Sequence, residues 1–170
     1  MYGDTMDDAV DAITAQWART RPDLDVSPMG VIGRLSRASR LVERELKEFF
    51  AQRGLEAWEF DMLATLLRAN PEHRLCMKDL AGSALVSPGA LTNRMDRLVE
   101  RGLVDRWPAP DNRRMVLVAL TPEGERLANQ LIEEHVANER RILSSLTPND
   151  QQALASHLRD LLISLGDTEL

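Results

Sequence analysis

A mainly helical fold with a small β-hairpin is the class this sequence predicts, and three observations predict it. A hydroxyl residue precedes proline at Ser27-Pro28, Ser87-Pro88, Thr121-Pro122 and Thr147-Pro148, the pattern of a helix N-cap with proline at the first helical position. Apolar residues beyond those points recur three and four residues apart, the period of a helix with one buried face. The main interruption is a pair of β-rich runs, "GLVDRW" and "RMVLVALT", flanking "PAPDN", whose two prolines, Asp and Asn make a turn.

Bulk properties narrow the function. The 170 residues suffice for one domain, or for a small module with appended helices. A composition 44% apolar and 28% charged buries enough surface to offset ordering entropy, so a soluble globular chain is expected. The start, "MYGDTMDDAVDAITAQWART", has acids where an export signal needs basic residues, and no apolar run long enough to span a membrane. The single cysteine, Cys76, permits no intrachain disulfide. The expected location is cytoplasmic, with no membrane partner. A net charge of -6 argues against indiscriminate coating of nucleic acid, yet charge is unevenly placed. From Ser87 to Arg114 six arginines (94, 97, 101, 106, 113, 114) face four acids (Asp96, Glu100, Asp105, Asp111), a local balance of +2.

No internal repeat appears, so the elements are taken in order. The first strongly patterned helix starts at Ser27-Pro28, carries Val31, Leu35, Ala38, Val42, Leu46 and Phe49, and ends before Gly54. A second runs from about Glu56 to Ala69 with Trp58, Phe60, Leu63, Leu66 and Leu67 apolar, until Asn70-Pro71 stops it. "LCM" at 75–77 is a candidate short strand. "MKDLAGSALVSPGALTNRMDRLVERGLV" reads as a short helix through Leu85, a break, and a helix from Ser87-Pro88 with Leu91, Met95, Leu98 and Val99 inward and Gly102 as its stop. Two helices so tightly joined form a helix-turn-helix. The hairpin follows directly, with Arg113 and Arg114 where its loop enters the second strand. Thr121-Pro122 then opens a helix with Leu127, Leu131, Val136, Ile142 and Leu143, and Thr147-Pro148 another with Leu154, Leu158, Leu161, Leu162 and Leu165. These terminal helices hold more leucine-rich surface than a compact module covers, and a second copy of the chain is the expected cover.

The expected fold is therefore mainly α with a small β wing: a winged helix-turn-helix with N- and C-terminal dimerisation helices. Residues 1–26 are expected to form an N-terminal helical extension, 27–54 and 121–170 a helical dimerisation region, and 55–120 the winged helix-turn-helix domain. The span "LAGSALVSPGALTNRMDRLVERGLVDRWPAPDNRRMVLVALTPEG" resembles the winged helix-turn-helix of the MarR family. That resemblance implies a homodimeric regulator of transcription, a repressor released by ligand, on a pseudopalindromic double-stranded DNA operator. The family's wing carries Asp-x-Arg; here Asn112 stands at the aspartate position and Arg114 at the arginine.

The chemistry of DNA reading points to particular residues. With Leu91, Met95 and Leu98 inward, the outward set of the helix from Ser87-Pro88 is Ser87, Pro88, Gly89, Thr92, Asn93 and Arg97. Ser87 and the free N–H groups at the helix start suit a phosphate, and Asn93 suits an adenine edge. Taken singly, Ser87 reads as a cap and Asn93 as a solvated side chain; combined with a basic hairpin tip they read as DNA-facing. Arginines at such a tip suit the negative minor groove. By strand alternation one of Arg113 and Arg114 points to DNA, while the other turns away, with Asp111 as its candidate partner.

A narrower resemblance is to the urate-responsive HucR/PecS-like branch of the family. It implies a small anionic ligand, urate or a related purine, held by Trp17, Asp61, Arg94 and Arg106, on the matches "QWAR", "EFDMLATL", "NRMDRL" and "VDRW". A planar anion wants guanidiniums for its charge, an aromatic face and a carboxylate for its ring N–H groups. The alternative is structural, with Asp61 and Arg94 as a salt bridge holding the recognition helix and Trp17 packing the N-terminal helix. Under the ligand reading, Arg94 couples binding to helix position.

Other classes are weighed against this. No cofactor is expected, and no metal motif, phosphate loop or nucleophile turn points to an enzyme. A metal-responsive regulator using His135 and His157 is one alternative, and a winged-helix protein-interaction module another. Cys76, following Leu75, reads as a buried small hydrophobe.

Overall fold

The computed structural model describes residues 6–83, 88–112 and 114–168. Among them are seven helices and three strands, in the order α1 (Ala9–Thr20), α2 (Ser27–Ala51), α3 (Ala57–Ala69), β1 (Arg74–Cys76), α4 (Met77–Ser83), α5 (Pro88–Glu100), β2 (Val104–Pro108), β3 (Val116–Leu120), α6 (Pro122–Ile142) and α7 (Pro148–Ser164). The mainly helical class with a small sheet is observed. Among the described residues no helix is long and apolar enough to cross a membrane.

The chain divides into two compact units, Met1–Leu46 and Lys47–Leu170. In the first, Asp8 caps α1, its carboxylate accepting the Val10 and Asp11 N–H groups at 2.7 and 3.0 Å, while Asp11 reaches back to the Asp8 N–H at 2.9 Å. Arg34 of α2 bridges the same two acids, at 2.8 Å to Asp8 and 2.6 Å to Asp11. Val10 is buried against Gly33, where a Cβ would stand 3.3 Å from a Val10 methyl. The start of α2 differs from expectation: Ser27 is already helical, and Asp25 accepts its N–H at 2.9 Å and its hydroxyl at 3.1 Å. An acid two residues upstream thus takes over the capping role expected of Ser27.

The second unit holds the main core. Met62, Leu63 and Leu66 of α3, Leu80 of α4, Leu91, Met95 and Leu98 of α5, Val104 of β2, Val118 of β3 and Ala128 of α6 belong to one buried cluster. Val99, expected inward, is 38% exposed, because it lies a further 100° around the helix from Leu98. The sheet is antiparallel in the order β1-β3-β2, with Leu75 opposite Val118 and Arg106 opposite Val118 from the other side. "LCM" is thus partly strand, joining the hairpin as its third member through Leu75 and Cys76, while Met77 starts α4.

The junction after the hairpin explains "LTPEG". Thr121 caps α6 by accepting the Gly124 N–H at 3.0 Å, and its hydroxyl donates to the Gly102 carbonyl at 2.8 Å. A Cβ at Gly124 would fall 1.9 Å from the Leu103 carbonyl oxygen. Only glycine lets the first turn of α6 sit this close to the start of β2. Gly102 itself has φ of +69°, the left-handed conformation that ends α5.

Candidate nucleic-acid interface

Helix α5 is amphipathic in the expected sense. Leu91, Met95 and Leu98 are 1%, 0% and 0% exposed, whereas Gly89, Thr92, Asn93 and Arg97 are exposed. Ser87 and Arg113 lie outside the described residues, as does the Pro88 side chain. Arg114 is exposed in the turn before β3, which starts only at Val116, so the strand alternation expected there does not govern it. Its N–H donates to the side-chain oxygen of Asn112 at 3.1 Å, and Met115 N–H donates to the Asn112 carbonyl at 2.8 Å. The asparagine that replaces the family's aspartate therefore organises the wing tip through the backbone.

The flanks of α5 carry contacts that the sequence did not foretell. Arg106 of β2 pairs with Asp96 of α5 at 2.7 Å. Glu59 of α3 is 1% exposed; one oxygen takes Arg101, just past the end of α5, at 2.7 Å and the other the Glu56 N–H at 2.8 Å. Trp58 of α3 has the guanidinium carbons of Arg94 and Arg97 at 5.3 and 5.0 Å from its ring centroid. The spacing 94, 97, 101 is one helical stripe and was visible in the sequence; its partners on α3 were not, since nothing local links residues 42 positions apart.

Of the residues expected to hold a ligand, Trp17 belongs to the first unit, and Asp61, Arg94 and Arg106 to the second. Asp61 is exposed on α3, yet desolvation by its neighbours pushes its carboxyl above the ordinary 3.8, opposed by His135, Arg68 and Arg94. Arg94 is therefore within electrostatic reach of Asp61, and half-buried, while its guanidinium faces Trp58. No ion pair joins Asp61 to Arg94 among the described residues. Arg106 borders an open cleft of about 390 Å³ with Met77, Thr92, Trp107, Pro108 and Val116. Trp17 is on α1, 41% exposed, its carbonyl accepting the Arg21 N–H at 2.8 Å.

His135 packs against Phe49, Phe50 and Phe60, with ring centroids 6.0, 5.5 and 4.7 Å away, and His157 is exposed on α7. Among the described residues no group of three or more His, Cys, Asp or Glu could hold a metal ion. Cys76 is half-buried rather than buried; its Sγ accepts the Asp79 N–H at 3.4 Å beside a groove of about 420 Å³. A position on the outermost strand of the sheet leaves one side of it uncovered.

Comparison with known proteins decides what this geometry belongs to. The sequence pattern of the MarR family matches residues 55–116. The regulator PecS of Dickeya dadantii (strain 3937) is 43% identical over 153 residues, which is 90% of each chain. The chain belongs to the MarR family. Within it this MarR family chain falls in the PecS-like branch, and members of the family are DNA-binding transcriptional regulators, not enzymes. Solved structures agree on the fold. AbsC, a MarR family regulator from Streptomyces coelicolor, superposes with a TM-score of 0.75 at 24% identity, covering 85% of this chain and 98% of that one. A second MarR family regulator from Streptomyces coelicolor, crystallised in complex with DNA, gives 0.72 at 28% identity over 84% and 89% of the two chains.

Proposed function

We propose that the chain is a homodimeric repressor that reads a pseudopalindromic operator with α5 and the wing, and releases it when a small planar anion such as urate or a related purine binds. The observation that carries the DNA reading is the division of α5. Its apolar residues are buried, while Gly89, Thr92, Asn93 and Arg97 are exposed beside an exposed Arg114. That is the arrangement a major-groove helix flanked by a minor-groove arginine requires. A DNA complex of a similar regulator supports the same reading.

The arginines beside α5 support the ligand part. An anion drawn to Arg106 competes with Asp96 for the guanidinium, and one drawn to Arg94 competes with the charge of Asp61. Either change alters what holds α5, and a dimer reading half-sites about 34 Å apart loses affinity when its two reading helices shift. The test is a mobility-shift titration against the DNA flanking the chain's own gene, with and without purines, and with Arg114→Ala as a control. Release by urate-like purines and roughly tenfold weaker binding by the control are expected. Equal binding across all purine concentrations removes the ligand assignment, and unchanged affinity of the control removes the wing from the interface.

A further inference from the structure

Two positive charges three residues apart on one helix repel each other, and long side chains left in water sample many rotamers. Arg94 and Arg97 of α5 are such a pair. What they share is one indole: Trp58, half-buried in the first turn of α3 and packed on the core, has both guanidiniums within 5.3 Å of its ring centroid. The negative face of an aromatic ring attracts cations, and a ring anchored in a core is a fixed reference point. The next residue, Glu59, anchors the same stripe by taking Arg101 at 2.7 Å.

We propose that Trp58 is a positioning residue for the DNA-reading surface. It holds Arg97 in one arrangement at the border of the exposed face of α5, so that less side-chain freedom is lost when DNA is bound. By holding Arg94 on the same ring it also links Arg97 to whatever draws on Arg94. An anion that attracts Arg94 takes one of two cations off a shared partner, and the readjustment reaches Arg97 within a single turn of helix. This inference rests on the reading of α5 as the DNA-facing helix.

The experiment is a double-mutant cycle on the duplex that carries the DNA flanking the chain's own gene. Trp58→Leu is expected to weaken binding about fivefold, and Trp58→Phe, which keeps an aromatic face, to restore most of it. In an Arg97→Ala background, Trp58→Leu should cost nothing further. An indole that only supports the fold lowers affinity equally with and without Arg97, and that result overturns the proposal. Should Trp58→Leu not fold, a Trp17→Phe/Trp107→Phe protein isolates the emission of Trp58. That emission must change over the duplex concentrations that saturate binding, and the change must vanish with Arg97→Ala; emission indifferent to duplex overturns the proposal. A parent protein that binds no duplex removes the DNA reading together with this inference, whereas a bound parent with uncoupled variants removes the inference alone.

Discussion

At the scale of single residues, Gly124 illustrates how little room separates this fold from a strained one. Adding one methyl there drives a carbon to 1.9 Å from the Leu103 carbonyl oxygen, a backbone atom that cannot swing aside. Gly124→Ala is expected to cost about 3 kcal/mol, read as a lowered urea midpoint. An unchanged midpoint would mean the junction yields freely. Asp61 makes the opposite case. Its folded pKa is raised above 3.8 by desolvation from its neighbours, so the folded state binds more protons than the unfolded one just above that value. Stability from this group is therefore lost as pH rises through the folded pKa, and its ionised form is a liability at neutral pH. Asp61→Asn is expected to melt higher than the parent at pH 7, with the difference shrinking as pH falls towards 3.8. A gain that persists undiminished at low pH would contradict this. The carboxylate matched by resemblance was legible in the sequence; its unfavourable setting was not, because desolvation by neighbouring elements is a property of the packed chain.

At the scale of elements, α5 is held from two sides. Its arginines 94 and 97 meet Trp58 of α3, Arg101 just beyond its end meets Glu59, and Asp96 meets Arg106 of β2. Asp96 lies four residues after Thr92 and so shares its side of the helix, where a free carboxylate repels phosphate. The ion pair masks that charge. Asp96→Asn is expected to bind the operator about threefold more tightly at low salt and to respond less to an anionic ligand. Weaker binding, or an undiminished ligand response, in a mobility-shift titration would count against the mask. The wing follows a similar logic. Asn112→Ala removes the acceptor for the Arg114 N–H and should weaken DNA binding, whereas Asn112→Asp keeps the acceptor and should not. Equal affinities of the alanine and aspartate variants would show that the turn does not depend on this side chain. Helix and strand positions were readable from period and caps, but these cross-element pairs were not, since residue type alone does not say which arginine meets which partner.

At the scale of the molecule, the uncovered apolar surface of individual helices stands out. In α7, Leu154, Leu162 and Ile163 are 43%, 47% and 54% exposed, and no residue of that helix is buried. In α2, Val31, Ile32 and Leu35 are 65%, 58% and 37% exposed. Surfaces of this kind on soluble chains mark association sites. Under the homodimer reading, Leu162→Glu/Ile163→Glu is expected to sediment as a monomer and to lose most operator affinity, because one reading head binds only a half-site. A variant that stays dimeric would place the dimer contact elsewhere.

What the sequence determined unaided is the order of the main elements: the threonine-proline caps at Thr121 and Thr147, a 3.6-residue apolar period and one loop with two prolines are local signals that need no partner. Even the outward face of α5 follows from them, since burying Leu91, Met95 and Leu98 leaves Gly89, Thr92, Asn93 and Arg97 in water. Tertiary structure alone decided the company the charged residues keep: Glu59 buried with Arg101, Asp96 on Arg106, and two arginines on Trp58. The physical reason is range. Backbone preference and periodicity act over a few residues, while an ion pair or a cation over a ring depends on which distant surfaces packing has already brought together.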